Sequence, residues 1–98
     1  MPKSLRGSVT SIDGAGNLIT DLQASQFEGA PRDERLRITC GGHETLGLHD
    51  GYEGQPELTF VAIINGESQL ELGIVGENAA ALLSIPSGAP VEASWDAD

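Results

Sequence analysis

The apolar and polar residues of the chain alternate in several short runs. The clearest alternation is Arg35–Cys40, where Leu36, Ile38 and Cys40 fall on one face and polar residues on the other. A period of two places successive side chains on opposite faces of a β-strand. A helical period over a full window of twelve residues is missing, so the pattern predicts β-structure and argues against a helical bundle.

The same pattern, divided at glycines, prolines and polar clusters, predicts six or seven short strands. They are Leu5–Ile12, Asn17–Leu22, Arg35–Cys40, His43–Leu48, Glu57–Ile64, Ser68–Val75 and Pro90–Trp95. Turns are expected at Gly14–Gly16 and at Asn65-Gly66, which is a strong hairpin signal. One helical turn is expected around Ala24–Phe27 and a short helix over residues 77–83, with Asn78 near its start. The closing WDAD is expected to fray.

Strand edges must be closed or covered, so this number of short strands predicts an all-β fold, a small Greek-key barrel or sandwich with one short helix near residues 77–83. The 98 residues make a single domain, 1–98, with one modest core. Only four residues are aromatic, so the core must consist mainly of Leu, Ile, Val and Ala. Trp95 is expected to cap the barrel.

The charge, the single cysteine and the lack of long apolar runs limit which partners and which location are expected for this chain. A net charge of −10 opposes binding to nucleic acids and to anionic membranes, so neither is predicted as a partner. Cys40 is the only cysteine, which excludes an internal disulfide and favours a reducing compartment. The N-terminus lacks the apolar run of a signal peptide, and no segment reaches membrane-spanning length. These features predict a cytoplasmic protein.

No catalytic residue and no metal ligand is predicted. His43, Glu44, His49 and Asp50 fit no standard zinc spacing and are interpreted as polar loop residues. Cys40 ends an apolar strand face and is interpreted as a core residue, because no basic neighbour is evident to lower its pKa.

Asp13 and Asn17 lie at the two ends of the first turn and allow two interpretations. Either their side chains bond the backbone of their own turn, or they present an acceptor and an amide to a ligand.

The order of motifs along the chain resembles one known family. A G-x-V-x-x-I-D-x-x-G-N-L-x-T pair of strands (7–20) is followed by L-E-L (70–72), G-E-N-A-A (76–80) and P-x-G-x-x-V (86–91). This sequence is similar to the C-terminal β-barrel domain of the S-adenosylmethionine (SAM) hydroxide adenosyltransferases, the family that includes SAM-dependent fluorinases and chlorinases. The resemblance runs from about Gly7 to Trp95 and does not include the larger α/β domain that precedes the barrel in the family.

The resemblance implies a ligand and a set of ligand-binding residues. In the family the adenosyl group binds at a trimer interface, between the α/β domain of one chain and the barrel of its neighbour. By resemblance, Asp13 and Asn17 lie near the methionine and ribose end of such a site, and Asn78 and Ala79 lie near the adenine edge. SAM or adenosine is thus implied as a ligand, and no cofactor is predicted.

Three positions depart from the family pattern. Ala15 replaces an aromatic residue that packs on the nucleoside, and Asp21 replaces an amide after the motif. Glu67 lies where some members carry an arginine that holds the substrate carboxylate, and a glutamate there repels such a group.

Three functional hypotheses follow. The first is a stand-alone, non-catalytic module that serves oligomerisation or partner binding, as a homodimer or homotrimer. The second is half of a split SAM-hydrolysing enzyme, completed by a separate α/β chain. The third is a protein that binds adenosine or a related nucleoside. In each case this chain alone is not expected to be an enzyme.

Overall fold

A computed structural model describes residues 2–96, which form a nearly closed barrel of seven antiparallel strands with one short α-helix. The strands are β1 (Pro2–Ile12), β2 (Leu18–Gln23), β3 (Arg37–Cys40), β4 (His43–Leu46), β5 (Phe60–Ile64), β6 (Gln69–Ile74) and β7 (Pro90–Asp96). The helix α1 spans Ala79–Leu83, and a 3-10 helix spans Ala24–Phe27. The predicted all-β class, the short helix and the helical turn after β2 are confirmed.

The strand order in the sheet is β4-β3-β7-β1-β2-β6-β5, so β4 and β5 form its two edges. The edges approach each other, and the Thr45 hydroxyl donates a hydrogen bond of 2.6 Å to the Phe60 carbonyl. After β4, His49 forms a parallel bridge with Ile63 of β5. These contacts bring the two edges together, and the fold is therefore a barrel and not a sandwich.

The long strand β1 changes partner along its length. Its residues 2–8 pair with β7, and its residues 9–12 pair with β2 across a register shift. Beside the shift, the Asp21 carboxylate accepts a hydrogen bond of 2.9 Å from the Ser8 N–H. Gly7 makes room for this carboxylate, because a Cβ there would overlap Asp21 Oδ1 and lie 3.0 Å from Leu22 Cγ.

Aliphatic side chains fill the barrel, as the shortage of aromatic residues predicts. The largest fully buried ones are Leu18, Leu22, Leu36, Ile38, Leu70 and Leu72. Phe27 and Trp95 pack against each other with ring centroids 6.4 Å apart, and both are buried. Burial raises the pKa of Cys40 to about 11, so its thiol stays protonated at neutral pH, as expected of a core residue.

The hairpin predicted at Asn65-Gly66 joins β5 to β6, although its left-handed residue is Ser68 (φ 62°). The Asn65 side-chain oxygen accepts hydrogen bonds from the N–H groups of Glu67 (2.9 Å) and Gln69 (3.1 Å). The Ser68 N–H donates to the Asn65 carbonyl. Asn65 therefore begins the turn and is not one of its central residues.

Several strands are shorter than the sequence pattern predicts, because the backbone N–H groups at their ends form hydrogen bonds with side chains or within turns. β3 begins at Arg37, since the Asp33 carboxylate accepts the Arg35 N–H and the Asp33 carbonyl accepts the Leu36 N–H. β5 begins at Phe60, since the Thr59 N–H bonds to the Pro56 carbonyl.

The start of α1 and the end of β7 also differ from the predicted bounds. The helix begins at Ala79 after the Asn78 side chain, which accepts a hydrogen bond of 2.9 Å from the Ala81 N–H as an N-cap. Strand β7 includes Trp95 and Asp96, which were expected to fray, whereas Ala97 and Asp98 lie outside the described residues. No helix within residues 2–96 is long and apolar enough to cross a membrane.

The contact between Gly7 and Asp21 leads to a prediction about stability. We expect Gly7→Ala to lower the free energy of unfolding by about 1–3 kcal/mol, because the new methyl group displaces Asp21 and leaves the Ser8 N–H without its partner. Chemical denaturation followed by Trp95 fluorescence measures this. Gly14→Ala is the matched control, because no atom lies within 4 Å of a Cβ at Gly14. An equal loss in both variants would contradict the account.

Candidate functional site

An open concavity of about 410 Å³ lies beside the loop between β1 and β2. It is lined by Ala15, Asn17, Tyr52 and residues 74–78. Its volume is within the range of about 300–1,000 Å³ that small-molecule sites occupy. We call it the concavity below.

The concavity exists because the loop between β1 and β2 packs on the beginning of α1. The Gly16 carbonyl accepts a hydrogen bond of 3.0 Å from the Ala80 N–H. Gly16 has a φ of 88°, and a Cβ there would overlap the Asn78 side-chain amide. Only glycine allows both the left-handed backbone and the close approach. Residues about sixty positions apart in sequence thus form one wall.

Asp13 is occupied by its own turn. Its carboxylate accepts hydrogen bonds of 2.9 Å from the backbone N–H groups of Ala15 and Asn17, and one of 3.2 Å from the Asn17 side chain. Partial burial works to raise the pKa of Asp13, but hydrogen bonds from Asn17, Ala15 and Gly16 together lower it below 3.8. Asp13 is therefore ionised at neutral pH. Its hydrogen bonds are those of the first interpretation, in which the side chain bonds the backbone of its own turn.

Asn17 uses only part of its side chain in this turn. Its Nδ2 donates to Asp13, whereas its Oδ1 accepts no hydrogen bond from residues 2–96 and lies against Gly73. The Asn78 side chain uses the opposite atom of its amide. Its Oδ1 caps α1, whereas its Nδ2 has no hydrogen-bond partner among residues 2–96. Asn17 and Asn78 both line the concavity, and between them they retain one acceptor and one donor without a partner among residues 2–96.

Tyr52 and Glu71 complete this region and were missed in the sequence. The Tyr52 hydroxyl donates a hydrogen bond of 2.8 Å to Glu71 Oε2, and Asn65 Nδ2 donates one of 3.2 Å to Glu71 Oε1. A Cβ on Gly73 would lie 2.7 Å from the Tyr52 hydroxyl, so glycine lets the tyrosine lie across β6. Burial, the hydrogen bond to Glu71, and the charges of Glu71 and Asp13 all raise the pKa of Tyr52, which is neutral at physiological pH.

A signal for Glu71 was present in the sequence. The residue lies in the apolar run of β6, and it is only 8% exposed. A carboxylate in a buried strand needs a hydrogen-bond partner, and the loop of residues 47–59 supplies Tyr52. The sequence could indicate that a partner was needed, but not which loop residue would reach it.

The four residues expected to bind ligand have three different placements. Asn17 and Asn78 line the concavity together. Asp13 does not line the concavity and lies instead in a different depression, together with Asn65 and Glu71. Ala79 is fully buried beneath the loop, and only its backbone could approach a ligand.

The polar residues considered for a metal site lie apart from the concavity. His43 and Glu44 belong to β4, and His49 and Asp50 follow it in the loop. Within residues 2–96, no three His, Cys, Asp or Glu side chains come together in a group that could hold a metal ion.

Two solved structures share the fold over most of this chain. An uncharacterised conserved protein from Thermotoga maritima matches with a TM-score of 0.78 and 19% identity, over 92% of this chain and 35% of that one. A conserved hypothetical protein from Thermus thermophilus matches with a TM-score of 0.72 and 24% identity, over 90% of this chain and 34% of that one. The chain thus spans about a third of the length of these two proteins.

The sequence itself identifies the family. No curated protein matches the chain. The profile of the SAM hydroxide adenosyltransferase C-terminal domain matches residues 7–92, which is most of its length. The chain therefore belongs to the SAM hydroxide adenosyltransferase C-terminal domain family.

Proposed function

We propose that this domain is a non-catalytic binding module, whose concavity forms one wall of a site for an adenosine-containing ligand that a partner completes. The observation that carries the proposal is the convergence of Asn17, Tyr52 and Asn78 on one concavity. They come from the first hairpin, the loop of residues 47–59 and the start of α1, respectively. Such convergence of a few polar groups and an aromatic residue is typical of ligand sites.

The free groups suit a nucleoside. The Asn78 amide can donate to a ring nitrogen of adenine, and the Asn17 oxygen can accept from a ribose hydroxyl. Tyr52 offers an aromatic surface where Ala15, in the first loop, does not. The hydrogen bond to Glu71 limits the movement of this ring, which lowers the entropy lost on binding.

Catalysis by this domain alone is not expected. The concavity is open, and hydrolysis of SAM requires a water molecule to be positioned against the ligand from the side that it leaves uncovered. Asp13 is hydrogen-bonded within its turn, and Tyr52 holds its proton tightly. Glu77 is the only ionisable residue besides Tyr52 among the described residues that line the concavity.

Apolar side chains beside the concavity support a partner. Leu58 is 64% exposed and Leu82 is 58% exposed, and Ile12 is partly exposed just before the first loop. The Leu58 N–H bonds to the carbonyl of Val75, which lines the concavity, and Leu82 lies one turn after Asn78. We propose that a second copy of the chain buries this surface in a homodimer or homotrimer, because apolar surface of this kind is typical of interaction sites.

A separate α/β chain is the second candidate partner. It is supported by the length comparison, since each of the two solved structures has about twice as much chain outside the matched barrel as within it. In that case the assembly would be a split SAM-hydrolysing enzyme, and this chain would contribute Asn17 and Asn78. A third candidate, a nucleoside-binding protein that acts without a partner, predicts tight binding by the isolated domain.

Ligand binding can be tested by titrating adenosine into the labelled protein and recording amide NMR shifts. We expect shifts confined to residues 14–20, 52 and 74–81, at millimolar ligand. Asn78→Ser keeps an N-cap oxygen but removes the amide donor, so we expect the affinity to fall about 3- to 10-fold, the value of one hydrogen bond. Ser25→Ala, in the 3-10 helix, is the control and should bind like the wild type. The absence of shifts at millimolar adenosine would refute the proposed site.

The absence of catalysis can be tested by chromatography. We expect the purified chain to release no adenosine or methionine from SAM above the rate without protein. Adenosine released by the wild type but not by Asn17→Ala would overturn the assignment as a non-catalytic module. Release only after an α/β chain is added would instead support the split enzyme.

The partner surface can be tested at Leu58, whose left-handed backbone (φ 68°) is unfavourable for a leucine. We expect Leu58→Gly to raise the free energy of unfolding by about 0.5–1 kcal/mol, because glycine relieves this strain. It should also weaken self-association, measured by light scattering at physiological ionic strength. Leu46→Thr removes an exposed leucine from β4 and is the control. Wild type that stays monomeric over a wide concentration range would refute the homo-oligomer.

A further inference from the structure

We propose that Asn65 is a site of spontaneous deamidation, in which the backbone nitrogen of Gly66 displaces the side-chain amide as ammonia. The product is an aspartate or an isoaspartate beside Glu71, and it lacks the hydrogen bond that the Asn65 amide donates there. The inference concerns the hairpin between β5 and β6, and it does not depend on the proposed function of the concavity.

The sequence distinguishes Asn65 from the other two asparagines of the chain. Asn65 is followed by glycine, whereas Asn17 and Asn78 are followed by leucine and alanine. The backbone nitrogen after an asparagine can attack the side-chain carbonyl carbon and close a five-membered ring. A Cβ on the attacking residue hinders this approach, and glycine has none. Asn65 is therefore the asparagine at which the attack is least hindered, and the other two are internal controls.

The turn leaves the attacking nitrogen accessible to solvent. Gly66 is exposed, and its N–H donates no hydrogen bond to any of residues 2–96. Water or hydroxide can thus remove its proton. The φ of Gly66 lies outside the left-handed region, and a Cβ there would have no atom within 4 Å. An alanine at this position therefore fits without strain, which allows a direct test of the role of the glycine.

The turn also activates the carbonyl group that is attacked. The Asn65 Oδ1 accepts hydrogen bonds from the N–H groups of Glu67 (2.9 Å) and Gln69 (3.1 Å), which hold the side chain against the turn. Attack at Cγ transfers negative charge to Oδ1. Two N–H groups that already point at this oxygen stabilise the developing charge. The backbone of the turn thus lowers the barrier to ring closure.

The reaction needs only water. The Gly66 nitrogen gives its proton to solvent and forms a bond to Asn65 Cγ. The bond from Cγ to Nδ2 breaks, and Nδ2 takes a proton from solvent and leaves as ammonia. Water then opens the ring at one of its two carbonyl carbons. Addition at Cγ gives an aspartate with the original backbone, whereas addition at the main-chain carbon gives an isoaspartate, in which the backbone runs through Cβ and Cγ.

The product disturbs a buried network of hydrogen bonds. Asn65 Nδ2 and the Tyr52 hydroxyl donate to the two oxygens of Glu71, over 3.2 Å and 2.8 Å, and Glu71 is buried. Deamidation replaces the first donor by a carboxylate. Two carboxylates at this distance cannot both ionise without cost, so the pKa of one of them rises. The other titratable groups that line the depression around Asn65 are Asp13 and Glu67, and no Lys, Arg or His of residues 2–96 lines it.

Deamidation is measured by incubating the folded full chain at mildly alkaline pH and locating the change of mass from amide to acid by tandem mass spectrometry. We expect conversion at Asn65 and none at Asn17 or Asn78 over the same time. Gly66→Ala should slow it roughly tenfold, which corresponds to about 1.4 kcal/mol in the activation free energy. Gly14→Ala alters another uncrowded turn glycine and should leave the rate unchanged. Equal rates at the three asparagines, or conversion only in denaturant, would overturn the inference.

The effect on the network is measured with Asn65→Asp, which reproduces the aspartate product. We expect it to unfold at a lower urea concentration than the wild type at neutral pH. The raised pKa belongs to the folded state, so the penalty is complete above that pKa and disappears as the pH falls to the unfolded value of about 4.

A second variant separates the added charge from the lost donor. Asn65→Ser keeps an acceptor for the turn and removes the donor to Glu71 without adding a carboxylate. Its loss of stability should therefore depend less on pH than that of Asn65→Asp. Equal stability of Asn65→Asp and the wild type at neutral pH, or the same pH dependence in both variants, would overturn the proposed effect on Glu71.

Discussion

The contact between Gly16 and the Asn78 side chain holds the candidate site together. It joins the first hairpin to a helix about sixty residues later. Because Gly16 has no Cβ, the Asn78 side chain can lie against it, and the Ala80 N–H donates a hydrogen bond to the Gly16 carbonyl. A larger residue at position 16 would separate the loop from α1, and Asn17 and Asn78 would no longer face one concavity. The candidate site therefore depends on a glycine that does not itself line the concavity.

The fold was largely predictable from the sequence, because strand positions follow a local alternation of residues. The alternation that places Ile38 and Cys40 on one side indicated the inward face of β3, and Asn65-Gly66 indicated the turn between β5 and β6. The strand ends were less predictable. At Asp33 and at Pro56 the hydrogen bonds of a turn compete with those of the sheet, and the residue pattern does not show which will form.

The site was predictable only in part. Asn17 and Asn78 were predicted because their motifs resemble those of the family, and both line the concavity. Tyr52 could not be found in this way, since its position depends on how a thirteen-residue loop, residues 47–59, lies across β6. Its hydrogen bond to Glu71 and the space over Gly73 are tertiary contacts between residues about twenty positions apart. Such contacts have no local sequence pattern.

The junction between β4 and β5 has a consequence for the motions of the barrel. Every other pair of neighbouring strands is joined by a ladder of backbone hydrogen bonds, whereas this pair is joined by the Thr45 hydroxyl and by the bridge at His49. Local opening requires the least free energy where the fewest bonds must break. The barrel should therefore open first between β4 and β5, and the backbone amides of β4 should exchange with solvent earliest. His49 lies near the start of the loop of residues 47–59, which carries Tyr52, so the same fluctuation would loosen one wall of the concavity while the Gly16–Asn78 wall stays closed.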